Sequence, residues 1–354
     1  MTEDKITDRY REYLSKKILF ILVSVAFLLI CLLISISIGS SNITIGDVLH
    51  AFLRKGEEWK VQIIWQIRIP RVLSAILAGL GLSIAGVAMQ SILRNPLGSP
   101  YTLGVSQAAA FGAAFAVIVL GAGSMQSSSA DAVILNNPYL ITISAFFWAL
   151  LSTVGILSLS KLRNATPETL VLAGIALGSL FTAGMTSLQY FASDVELAAV
   201  IFWTFGDLGK STWRDFGIMI VVIVPILLYF IWNSWDYNAL DSGDETAKSL
   251  GVDVEKTRTH GMLLASLATA VIVSFFGIIG FVGLVVPHIV RKVIGGDERY
   301  LIPASAIFGG AFLLASDTVA RTIIAPVILP VGILTSFLGA PLFIYLLVRG
   351  RSYW

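Results

Sequence analysis

Long apolar runs recur along the chain, separated by shorter stretches that carry nearly all of the charge. They fall at about 18–38, 71–92, 103–122, 138–159, 169–191, 215–233, 260–280, 281–294, 301–320 and 331–348. A helix needs about 20 apolar residues to cross a bilayer, so the pattern predicts an all-α, polytopic transmembrane bundle of about ten helices. The run at 281–294 is short and follows Gly280 at once, which predicts a very tight turn between the seventh and eighth helices. The stretch 192–211 is less apolar and predicts a short interfacial helix. Residues 1–17 read as a polar tail, and 123–137 as a long, flexible connection.

The longest polar stretch after the second helix is 234–259. Its pattern predicts two short helices with a turn between them. One ends at Gly251, with Ser242 or Asp244 to cap its start.

Composition narrows the class. Of 354 residues, 56% are hydrophobic and 13% charged, and the mean hydropathy is +0.85. A soluble globule of this size needs far more polar surface. A cytosolic enzyme, a secreted disulfide scaffold and a disordered chain are excluded. The whole chain, 1–354, reads as one transmembrane domain with no room for a second large soluble one. The net charge of +2 is too balanced to point to nucleic acid. The single cysteine, Cys31, has no partner for a disulfide within the chain.

With the N-terminus placed inside and the runs alternating, sixteen basic residues fall inside and eight outside. This bias predicts a multi-pass protein of the cell membrane with both termini cytoplasmic. The eight external basic residues include Arg68, Arg71 and Arg321. Pro70 suits the first turn of a helix, so Arg68 and Arg71 are expected at the outer mouth of the second span. They read either as interfacial anchors or as a docking site for carboxylates on an external partner.

Ionisable residues inside apolar runs are functional candidates by default, and only Asp317 clearly qualifies. It lies four residues before Arg321, so the two are expected to form an intramembrane ion pair. A helix-fixing pair and an ion relay are the two readings. Residues 209–212 read GKST, but Thr204 stands where a phosphate-binding loop needs its first glycine. His50, His260 and His288 are too scattered for a metal site, and no catalytic constellation is present. No enzyme, no metal and no cofactor is expected. Gly174 and Gly178, and the series Gly277, Gly280 and Gly283, are expected to let helices approach closely.

Three long motifs carry a resemblance. RIPRVLSAILAGLGLSIAGVAMQSILRNPLGSPYTLGVSQAAAFGAA (68–114), GFVGLVVPHIVRKVIGGDERYLIPASAIFGGAFLLASDTVAR (280–321) and LPVGILTSFLGAPLFIYLL (329–347) resemble the FecCD-type permeases of ABC importers. These serve iron–siderophore, haem and vitamin B12 uptake. The resemblance runs from about residue 60 to the C-terminus.

It implies a permease subunit that forms a homodimer, or pairs with a homologous permease, in membrane lipid. The substrate pathway would lie between the two subunits. Two separate ATP-binding subunits would sit on the cytoplasmic side and a substrate-binding protein outside. In the B12 importer of this family, arginines in matching motifs meet acidic residues of the binding protein. The matching residues here are Arg68, Arg71 and Arg321. The family's cytoplasmic coupling loop matches at Gly243, Asp244, Ala247, Leu250 and Gly251, with Glu245 adjacent, and is expected to fit a cleft on the ATPase. The cargo would be a metal chelate, crossing a cavity with few charges. The alternative is an ion-coupled secondary carrier, which would need more intramembrane ionisable groups and no such loop.

Overall fold

The computed structural model of the chain describes residues 3–39, 43–122, 137–163 and 166–349. The segment 123–136 lies outside the described residues, and with it most of the long connection expected at 123–137.

The described residues form helices and turns, with no strand among them. In chain order the helices are α1 (Glu3–Ser37), α2 (Ile45–Phe52), α3 (Glu58–Gln62), α4 (Ile69–Leu93), α5 (Val105–Ile118), α6 (Pro138–Arg163), α7 (Pro167–Phe191) and α8 (Asp194–Thr204). Then follow α9 (Trp213–Trp232), α10 (Ser234–Asp241), α11 (Asp244–Ser249), α12 (Val254–Phe276), α13 (Val282–Ile294), α14 (Glu298–Thr322) and α15 (Val331–Arg349). Seven segments are long and apolar enough to cross a membrane: α1, α3–α4 taken together, α6, α7, α9, α12 and α14. The shorter apolar helices α5 and α15, with α13, complete the ten elements that the apolar runs predict. α8 is the short helix expected within 192–211.

Two boundaries differ from the expectation. The polar tail is not separate from the first span, because α1 runs without a break from Glu3 to Ser37. Its polar half is held by the bundle: Lys17 is fully buried and paired with Asp297 at 3.1 Å. In the 234–259 stretch, α10 and α11 are the two short helices, but neither Ser242 nor Asp244 caps α11. Its N-cap is Gly243, at φ +106, and no side chain caps the helix. An L-residue seldom adopts that backbone. Gly251, at φ +87, ends the turn as expected.

α4 is the central post. Nearly every residue from Ile69 to Leu93 is buried, against α14, α12, α13 and α9. α1 and α7 stand at the periphery. Leu19, Leu22 and Leu33 on α1, and Leu172, Ile175 and Leu180 on α7, are exposed, as lipid-facing side chains must be. Without a hydrophobic drive between helices in lipid, close backbone contact holds such a bundle together. The closest lies between Gly86 on α4 and Gly283 on α13, where a Cβ on Gly86 would overlap the Gly283 carbonyl.

Polar sequence signals set the helix starts. Thr44 with Asp47, Ser193 with Glu196, and Thr212 with Asp215 form reciprocal capping boxes. A π-helical turn, Ile63–Arg68, joins α3 to α4. The extra residue per turn re-aims the side chains at its end, and its last residue is Arg68.

Candidate functional site

The first candidate lies where α1 ends beside the starts of α3–α4 and the end of α14. α1 has no basic residue in its last turn, so its final carbonyls lack a cap from their own helix. Arginines from elsewhere supply it. Arg68 Nη1 donates to the carbonyls of Ile36 at 2.6 Å and Ser37 at 2.9 Å. Arg321 Nη2 donates to Ser35 Oγ at 2.6 Å, and its Nη1 to the Ile38 carbonyl at 3.3 Å. Cations at a helix C-terminus also meet the negative end of its dipole.

Asp317 is the centre of this cluster and is wholly buried. Arg321 Nε lies 3.1 Å from its Oδ2, one turn along the same helix. The stronger pairing comes from α4. Arg71 grips the carboxylate in a fork, Nη2 to Oδ1 at 2.7 Å and Nε to Oδ2 at 3.0 Å. Sequence spacing finds the Arg321 pair but not the Arg71 fork, because 246 residues separate the partners. Asp207 is a second acidic neighbour, 3.9 Å from Arg71. Its backbone N–H donates to the Phe276 carbonyl, which places it there, and no local sequence signal marks it. Two guanidinium groups thus share Asp317, while Arg68 caps α1 beside them. All three arginines expected at the docking mouth come together, and all three turn inward to partners within the chain.

The second candidate is the α10–α11 segment. Ala247 is fully buried, while Leu250 is 68% exposed and Glu245 is also exposed. One side of the short helix is therefore anchored and the other is presented. Asp244 provides the anchor. Arg258 Nη2 on α12 donates to both of its oxygens at 3.1 Å, and Arg94, in the left-handed cap of α4, lies 3.5 Å away. This carboxylate ties α11 to the end of α4 and to α12. Gly243, Asp244, Ala247, Leu250 and Gly251 make one unit.

Behind it lies a polar knot that sequence reading missed. Asn238 on α10 accepts from the Glu298 backbone N–H at 2.8 Å, and its amide donates to Asp297 at 3.2 Å. Burial opposes the charge on Asp297, but hydrogen bonds from Arg299, Lys17 and Asn238 outweigh it and hold this carboxyl well below its ordinary range. The only sequence signal is the charge density after the Gly295–Gly296 turn.

The third candidate is a cavity of about 540 Å³. Its wall includes Ser99, Tyr101, Thr102, Ser106, Thr204, Thr269 and Ser336 among apolar and glycine residues, with no Asp, Glu, Lys, Arg or His among the described residues that line it. Such a wall offers neutral hydroxyl contacts and no fixed charge. Phe281, at its edge, starts α13 with φ +66, an uncommon conformation for a bulky side chain. Gly339 on α15 makes room for its ring. Among the described residues no group of His, Cys, Asp and Glu could hold a metal ion.

The FecCD transport family model matches residues 27–349. Among similar proteins, one of Methanocaldococcus jannaschii, provisionally named an ABC transporter permease, is 53% identical over 97% of this chain and 98% of its own length. The hemin transport system permease protein of Yersinia pestis is 36% identical over 92% of this chain and 95% of its own. A vitamin B12 import system permease protein of Escherichia coli is 35% identical, covering 96% and 98%. A solved structure provisionally described as an inward-facing ABC transporter of metal-chelate type superposes with a TM-score of 0.80 at 28% identity, over 93% of this chain and 98% of that one.

Proposed function

The chain belongs to the FecCD transport family, and on that premise we propose that it carries a metal chelate into the cytoplasm, driven by a separate ATPase. An ABC importer permease is the coarse statement that its relatives support directly. Iron–siderophore, haem or cobalamin is the cargo class proposed here.

The α10–α11 segment carries this reading. Leu250, Glu245 and Lys248 are presented on a helix whose buried side is tied by Asp244 to α4 and α12. An isolated carrier has no use for an exposed leucine on a braced two-helix lever. An ATPase cleft does. Hydrolysis shifts the membrane helices only if the ATPase touches the two states differently, and this segment is the contact we assign. The uncharged cavity supports the cargo class, since a bulky chelate must pass without being held.

In this reading the Arg68, Arg71 and Arg321 end faces outward and receives the substrate-binding protein. Each arginine is already engaged, so the mouth acts through its shape and its residual positive field rather than through a free guanidinium fork. The functional unit is a homodimer or a pair of homologous permeases, with two ATP-binding subunits below and both termini on their side of the membrane.

The test of the cargo is calorimetry of the partner binding protein against a panel of cyanocobalamin, haem and ferric hydroxamate chelates. The proposal expects tight binding of one class. Binding of none, with tight binding of an uncomplexed amino acid or sugar instead, would overturn it.

A further inference from the structure

Behind the α11 lever, a buried and a partly exposed acidic side chain share one arginine. Glu298, the first residue of α14, is fully buried. Its Oε1 accepts from Ser91 Oγ on α4 at 2.9 Å and lies 3.2 Å from Arg291 Nη2 on α13. Its Oε2 is also buried and has no donor. Asp241, the last residue of α10, is its acidic neighbour, held to the same Arg291 guanidinium. Arg291 Nη1 lies 3.7 Å from Asp241.

Two ionised carboxylates are both acceptors only, and their contact is a hydrogen bond only if one of them carries a proton. A buried carboxylate oxygen left without a donor is costly. One guanidinium between two carboxylates also leaves one negative charge uncompensated. Both deficits vanish with a single proton.

We propose that Asp241 and Glu298 share one proton and, with Arg291, form a joint that clamps the α10–α11 lever to α13 and α14. Loss of that proton sets two carboxylates against each other and opens the joint. The exit route is Asp241, whose side chain is 28% exposed while that of Glu298 is closed off. Burial, opposed by Arg291, raises Asp241 above the ordinary carboxylate range.

The other charged or titratable groups facing the joint come from every element around it. Tyr237 on α10 is buried against it. Asp297 is bound to Lys17 of α1 and to Arg299. Lys17 also lies over the rings of Tyr13 and Tyr300. Lys17, Asp297 and Arg299 pair among themselves, so among the described residues Arg291 is the one cation paired with the two carboxylates. The shared proton stands independently of the transport reading. Its consequence, that the coupling lever loosens as pH rises at that end of the protein, rests on it.

The test uses the purified full-length chain. Infrared difference spectra between about pH 6 and about pH 9 should show a protonated carboxylic C=O band that disappears on the alkaline side. The band should be absent in both Asp241→Asn and Glu298→Gln. In parallel, deuterium exchange is followed in peptides spanning 234–249. Wild-type exchange, divided by that of Asp241→Asn at the same pH, should rise roughly tenfold across the titration, the factor that one unit of pKa linkage carries. The asparagine amide supplies a permanent donor to Oε2 and removes the pH response. A band that persists in both variants, or an exchange ratio flat with pH, overturns the proposal. Should Asp241→Asn fold poorly, Glu298→Gln alone decides the infrared arm. Failure of chelate uptake would leave these spectra unchanged, so the two readings fail separately.

Discussion

Asp317→Asn is the sharpest probe of the arginine mouth. The substitution is nearly isosteric and keeps an acceptor oxygen, but it removes the charge that two guanidinium groups share. Arg71 loses a fork of 2.7 and 3.0 Å, and Arg321 a contact of 3.1 Å. Both remain buried, with Asp207 at 3.9 Å from Arg71 as the nearest remaining carboxylate. Stranding a buried charge costs about 3–5 kcal/mol. At about 2 °C per kcal/mol, the low end of the range because the chain is long, the melting midpoint should fall by about 6–10 °C. The assay is the midpoint for loss of the monodisperse peak in detergent after graded heating. The second half of the experiment adds Arg321→Gln to Asp317→Asn. It removes one of the two stranded cations and should recover part of the lost midpoint, although it deletes a further hydrogen-bonding group. An Asp317→Asn midpoint equal to wild type, or a double variant lower by the plain sum of the two single effects, would refute the account of the cluster as a charge-balanced brace.

Three other outcomes are expected. Leu250→Asp together with Glu245→Lys should leave the chain's stability within about 1 kcal/mol of wild type, because both side chains are exposed. It should abolish chelate uptake in cells carrying the partner subunits, and normal uptake would remove the lever from the mechanism. Gly86→Ala should be far more damaging than an ordinary helix Gly→Ala, since the new methyl overlaps the Gly283 carbonyl. Overpacking of this kind costs about 1–3 kcal/mol, read as a lower midpoint in detergent. The α2 cap gives a pH dependence. The Thr44 backbone N–H, then its hydroxyl and Lys60, lower Asp47 from 3.8 to about 2. A depressed carboxylate contributes stability that is complete above its unfolded pKa and lost as pH falls through the folded one. Deuterium exchange in 45–52 should therefore match its neutral-pH protection above about pH 4 and lose it between there and about pH 2, a window that Asp47→Asn should abolish.

The bundle was legible because lipid imposes one rule on every span. The ten apolar runs match ten helices, most of them to within a few residues. The exceptions are instructive. The polar tail reads as a separate element, yet Lys17 is drawn into the bundle by Asp297, 280 positions away. No local pattern carries that pairing. At the candidate site, the i,i+4 spacing identifies Asp317 with Arg321, whereas the Arg71 fork and Asp207 depend on how α4 and α14 cross. The spacing brings the three arginines to one end of the bundle, but the carbonyls at the end of α1 and the buried Asp317 that engage them lie on distant segments. Exposed sites fared differently. In α11 the motif match names Ala247 and Leu250 together, and the fold then buries the first and presents the second. The Asp241–Glu298 contact joins two segments whose acidic residues look like ordinary surface charge in sequence.

The central claim is that this chain moves a chelate only as the membrane part of an ATP-driven assembly. The most direct measurement is uptake of labelled chelate into proteoliposomes holding this chain and its ATPase, with the loaded binding protein added outside. The account predicts accumulation that requires ATP on the ATPase side and stops in the Leu250→Asp, Glu245→Lys variant. Accumulation driven by a proton or sodium gradient with this chain alone would contradict it.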